Sequence, residues 1–69
     1  GIDVGSRMEI YRLIRRLAGE GGAVLLLGDD LLELIGMADR IVVTRRGRIS
    51  RIFSRAEAPS ERMIVTHMI

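Results

Sequence analysis

The sequence predicts an α/β fold in the order helix, strand, helix, β-hairpin, helix, and three observations predict it. Residues 8–18 carry apolar side chains at helical spacing. Residues 23–27 form an unbroken apolar run between glycines, as a central strand covered on both faces would. Two β-branched stretches flank Arg46-Gly47, where a two-residue hairpin needs positive φ.

In the first helix, Ile10, Leu13, Ile14 and Leu17 fall on one side and Glu9, Arg12, Arg15 and Arg16 on the other. Gly19-Glu20-Gly21-Gly22 ends it, because glycine adopts the left-handed conformation that closes a helix. Ala23-Val24-Leu25-Leu26-Leu27 then reads as a buried parallel strand. Asp30, with Glu33 three residues on, resembles a capping box for a short helix running to about Gly36. Ile41–Thr44 and Ile49–Phe53 are the hairpin strands. Pro59-Ser60 opens a terminal helix with Met63, Ile64, His67 and Met68 on one face. One strand and a hairpin are an incomplete α/β edge, since a central strand needs sheet neighbours on both sides.

Composition bounds the function. The 69 residues, 48% hydrophobic and 29% charged, suit an ordered piece of at most one domain. A chain this short buries only about 60% of its unfolded surface and ordinarily needs a disulfide, a metal or a partner. There is no Cys and one His, so neither a disulfide framework nor a Cys/His metal site can form. The longest apolar run falls far short of the roughly 20 residues of a spanning helix. Net charge is +2, and all eleven basic residues are Arg, which excludes a Schiff-base or phosphate-loop lysine. The chain opens on Gly1 without Met, and the expectation is a piece of something longer.

Gly28-Asp29-Asp30 follows the expected strand at the carboxyl edge, where open α/β sheets bind ligands. Two adjacent carboxylates can hold Mg²⁺ or act as a general base, but the spacing favours Asp30 as a helix cap and Asp29 as a solvated loop residue. Gly1-Ile2-Asp3-Val4-Gly5 lacks the order of a phosphate loop and reads as a turn in which Asp3 or Ser6 caps the first helix. Arg45, Arg46, Arg48, Arg51 and Arg55 make a basic stretch. With Phe53 and Tyr11 the only aromatic residues, base stacking has little support, and the stretch reads as a solvated hairpin, not a nucleic-acid interface. His67 has no nucleophile at a fitting spacing and reads as a helix-surface residue; the four methionines read as packing.

Gly1-Ile2-Asp3-Val4-Gly5, then Glu9-Ile10-Tyr11 with Leu13-Ile14 and Leu17-Ala18, the glycine break, Leu31-x-Glu33-Leu34, Asp39-Arg40-Ile41 and Gly47-Arg48-Ile49 together resemble the ATP-binding-cassette ATPases. The likeness is strongest to the second cassette of the subunits that energise ribose- and galactose-type sugar importers. It implies that residues 1–69 are the C-terminal portion of one P-loop ATPase domain, with the Walker A loop, the signature motif and the Walker B strand all lying before Gly1. Gly1, Ile2 and Asp3 would form the loop that faces the other cassette. Gly28, Asp29 and Asp30 would form the switch loop, with Asp29 where active members carry a histidine. An ionised carboxylate there donates no hydrogen bond and repels the γ-phosphate, so the resemblance implies an impaired site with no catalytic residue in this segment.

Mg-ATP is implied for the longer parent and no cofactor for the segment alone. The implied partners are another cassette, membrane-spanning permease subunits and, indirectly, a periplasmic sugar-binding protein, with no nucleic acid. The implied location is peripheral, on the cytoplasmic face of the inner membrane. The segment alone is expected to self-associate. Two other readings stay open: an autonomous small α/β oligomerisation or binding module, and a small metal-dependent hydrolase using Asp29 and Asp30.

Overall fold

The computed structural model describes residues 4–69. It contains three helices and one antiparallel hairpin: α1 (Val4–Gly19), α2 (Leu31–Met37), β1 (Arg40–Arg45), β2 (Arg48–Ser54), a 3₁₀ turn (Arg55–Glu57) and α3 (Glu61–Met68). α1 starts four residues earlier than its apolar pattern suggests, so Ser6 lies inside the helix and is not its N-cap. Its end is a Schellman motif. Gly22 N–H donates to Leu17 O at 3.0 Å and Gly21 N–H to Ala18 O at 3.1 Å, with Gly21 at φ 94°.

The expected strand at 23–27 does not form. Among the described residues these pair with nothing, and the sheet there has only the order β1-β2. A strand exists through hydrogen bonds to a neighbour, and the two strands present bond to each other. Leu25 and Leu27 are left 85% and 84% exposed, and only Leu26 of the run is partly covered.

Asp30 caps α2, its Oδ1 accepting from Glu33 N–H at 3.2 Å. The far end of α2 is held by two guanidinium groups. Arg15 donates to Gly36 O at 3.4 Å and Met37 O at 3.1 Å; Arg55 donates to Ala38 O at 3.0 Å and Gly36 O at 3.3 Å. Cations at a helix C-terminus satisfy its orphan carbonyls and its dipole together.

The hairpin turns through Arg46 (φ 53°) and Gly47 (φ 77°), the mirrored turn whose twist matches the strands. Thr44 pairs with Ile49 but Val43 pairs with Arg51, so Ser50 is an extra, bulged residue on β2. Beyond the bulge, Ile41 opposite Phe53 and Val43 opposite Arg51 share one face. α3, N-capped by Ser60 Oγ accepting from Met63 N–H at 3.2 Å, packs on that face. The core is Val43, Phe53 and Ile64, with Leu31, Ile35 and Ile41 packed against it. The face of α3 differs from expectation: Ile64 and His67 point inward while Met63 and Met68 are exposed. His67 is thus not a surface residue; its ring meets Phe53 edge-on, centroids 5.6 Å apart.

Candidate functional site

α1 and α2 run side by side in the same sense, since Arg7 reaches Glu33 near the start of α2 at 3.8 Å while Arg15 reaches Gly36 and Met37 at its end. Residues 22–27 leave α1 through a tight turn and lead back to the start of α2, and β1 begins two residues after α2 ends. Between them lies an open cleft of about 660 Å³, walled by Ala23–Leu27 on one side and Arg40–Val42 and Thr44 on the other, with Ile14 and Leu34 among its other lining residues.

Gly28, Asp29 and Asp30 sit at the carboxyl end of the first wall and are exposed. Asp30 is engaged as the α2 cap. Asp29 makes no hydrogen bond or ion pair among the described residues. Gly1, Ile2 and Asp3, the expected interface loop, lie outside the described residues. Among the described residues no group of three His, Cys, Asp or Glu side chains could hold a metal ion. Chemically, the loop offers one free carboxylate and one carboxylate committed to a backbone N–H.

Tyr11 lies beside Glu33, and its phenol is pushed above its ordinary range, first by loss of surrounding water and then by the hydrogen bond to, and negative charge of, that carboxylate. Arg7 of α1 also reaches Glu33, at 3.8 Å.

Sequence reasoning missed the two arginines that hold the end of α2, since nothing local links Arg15 or Arg55 to carbonyls 17 to 22 residues away. It also missed Arg51. Its guanidinium lies 4.5 Å from the Phe53 ring centroid, donates to Glu57 Oε1 at 2.7 Å and so is not a free basic residue. The placement of Arg51 and Phe53 two apart on one strand was the readable signal for that stack.

Comparison with known proteins gives a consistent result. A ribose import ATP-binding protein of Rubrobacter xylanophilus is 61% identical over 64 residues, covering 93% of this chain and 12% of the relative. One from Pseudomonas putida is 55% identical over the same shares. A putative ribose/galactose/methyl galactoside import ATP-binding protein of Pseudomonas fluorescens is 48% identical, again over 93% of this chain and 12% of the relative. No protein-family model matches the chain, and no solved structure matches it. The chain spans about one eighth of the length of these curated relatives. Over that shared stretch, which is a small part of each relative, the chain is similar to the ribose import ATP-binding proteins.

Proposed function

We propose that residues 1–69 are the C-terminal part of the second P-loop cassette in a subunit that energises import of a sugar. The observation that carries this is the identity of 61% over 93% of the chain to a ribose import ATP-binding protein. The fold supports it: an unpaired apolar segment and β1 wall a cleft lined mainly by aliphatic residues, which suits the sheet strands a longer P-loop domain supplies. The longer ATPase uses Mg-ATP, pairs this cassette with another, and drives permease subunits fed by a periplasmic sugar-binding protein. It sits peripherally on the cytoplasmic face of the membrane; no described helix is long and apolar enough to cross one.

In this reading Gly1, Ile2 and Asp3 face the other cassette. Gly28, Asp29 and Asp30 are the switch loop, and Asp29 brings a negative charge to the place where a donor is needed to hold the γ-phosphate. The segment alone neither binds nor hydrolyses ATP. Calorimetry of the 69-residue chain with Mg-ATP is expected to show no binding at millimolar nucleotide, and a micromolar isotherm overturns that. In the longer ATPase, with hydrolysis at the other cassette silenced, Asp29→His is expected to raise turnover at this site; no rise means Asp29 is not what limits it.

A further inference from the structure

Asp30 and Glu33 stand at the spacing of a capping box, yet only half of the box is made. Asp30 Oδ1 accepts from Glu33 N–H at 3.2 Å, but among the described residues no return bond runs from Asp30 N–H to the Glu33 carboxylate. Glu57 shows the complete form, its carboxylate accepting from both the N–H and the hydroxyl of Ser54. The Glu33 carboxylate is turned to α1 instead. Arg7 reaches it at 3.8 Å and the Tyr11 hydroxyl donates to it. Its side chain is only 25% exposed there.

That diversion matters because α1 has no place in the core. Among the described residues, none of α1 belongs to the cluster of Val43, Phe53 and Ile64 or packs against it. Polar contacts tie α1 to α2 at both ends: Arg7 and Tyr11 to Glu33 at the start, Arg15 to the Gly36 and Met37 carbonyls at the finish. Glu33 therefore touches α1 with its carboxylate and the Gly28–Asp30 loop with its N–H.

We propose that Glu33 is a positioning residue which, through Arg7 and Tyr11, sets the Gly28–Asp30 loop against the start of α1. Resting on the ATPase reading above, in which residues 1–3 precede α1 and face the other cassette, this role joins the switch loop of one cassette to the loop presented to its neighbour. A displacement of either loop is then felt at the other. The role needs the charge of Glu33, because an ionised acceptor holds a guanidinium more strongly than a neutral one.

The test is steady-state hydrolysis by the longer ATPase, where the reading assigns turnover to the other cassette, together with amide hydrogen exchange over residues 28–34. Arg7→Ala, Glu33→Ala and their combination are compared with the wild type. Arg7→Lys is the conservative replacement, and Arg12→Ala is a control on the same helix, since Arg12 has no hydrogen bond or ion pair among the described residues. Each single alanine variant is expected to lower kcat about two- to fivefold, the scale of a partly exposed ion pair, with KM for MgATP unchanged and exchange over 28–34 faster. The double variant is expected to fall no further than the weaker single one, and Arg7→Lys and Arg12→Ala to stay near wild type. Unchanged kcat and exchange in the single variants, losses that multiply in the double variant, or an equal loss in Arg12→Ala overturns the role of Glu33 and leaves the ATPase reading standing. If Glu33→Ala fails to fold, Glu33→Gln keeps the shape of the side chain and is expected to show the same loss of kcat at an unchanged melting temperature; a wild-type kcat in Glu33→Gln overturns the role as well. A longer wild-type protein that hydrolyses no ATP overturns the ATPase reading itself, and the role with it.

Discussion

Glu57 shows how much one exposed side chain can organise. Its Oε2 accepts from Ser54 N–H at 2.7 Å and from Ser54 Oγ at 3.1 Å, and its Oε1 accepts from Arg51 at 2.7 Å. The backbone N–H of Ser54, and after it the Arg51 guanidinium, hold the carboxyl below its ordinary pKa of 4.5. Folding therefore favours the ionised form. The stabilisation is complete above the ordinary carboxylate pKa and is lost as pH falls through the lowered folded value. NMR titration is expected to place the Glu57 midpoint below 4.5, and Glu57→Gln to flatten the acid side of the stability profile. A midpoint at or above the ordinary value contradicts the arrangement. Phe53 is the complementary case, packed between the Arg51 guanidinium and His67 at 1% exposure. Phe53→Ala removes about 3–5 kcal/mol, as much as a core this small supplies. Thermal melting of the variant is expected to lose its cooperative transition; a transition shifted by only a few degrees means that the core does not depend on this ring.

The hairpin is the element in which one extra residue decides the packing. A two-residue turn sets Arg45 opposite Arg48 and Thr44 opposite Ile49. An unbroken ladder from there would put Ile52 opposite Ile41 and turn Phe53 outward, because a one-residue slip exchanges the two faces of a strand. The bulge at Ser50 absorbs that residue, and Phe53 comes to lie opposite Ile41. The prediction is asymmetric. Deleting Ser50 leaves every other pairing intact and is expected to retain a folded hairpin, whereas deleting Ile52 moves Arg51 out of its place opposite Val43 and is expected to unfold the chain. Circular dichroism melting of the two deletions separates them, and equal melting temperatures contradict the register. Each strand was legible from its β-branched residues, but the bulge was not, since Ser50 carries no positional signal and the shift answers to the burial of Phe53.

At the scale of the whole molecule, exposed apolar surface dominates. Among the described residues, only Val43, Phe53 and Ile64 are buried hydrophobic core, while Leu25, Leu27, Val42, Ile49 and Ile52 are all exposed. Surface of that kind is stable in water only when covered. Sedimentation of the 69-residue chain is expected to show oligomers. Leu25→Asp with Leu27→Asp is expected to shift the chain to monomer, because those two side chains are the most exposed of the large hydrophobics. A wild-type monomer at tens of micromolar (~10 to 100 µM, where weak self-association is commonly visible) counts against the reading.

The sequence by itself determined the three helices, the hairpin, its turn and the cap at Asp30, because periodicity, positive-φ glycines and capping side chains are local signals. It also carried the family, in blocks whose order needs no coordinates. Tertiary structure decided the rest. It withheld the strand at 23–27, which exists only through hydrogen bonds to a neighbour. It turned Phe53 inward through a bulge and drew Arg15 and Arg55 onto the end of α2. Those outcomes depend on residues far apart in the chain meeting in space, and no local pattern encodes that.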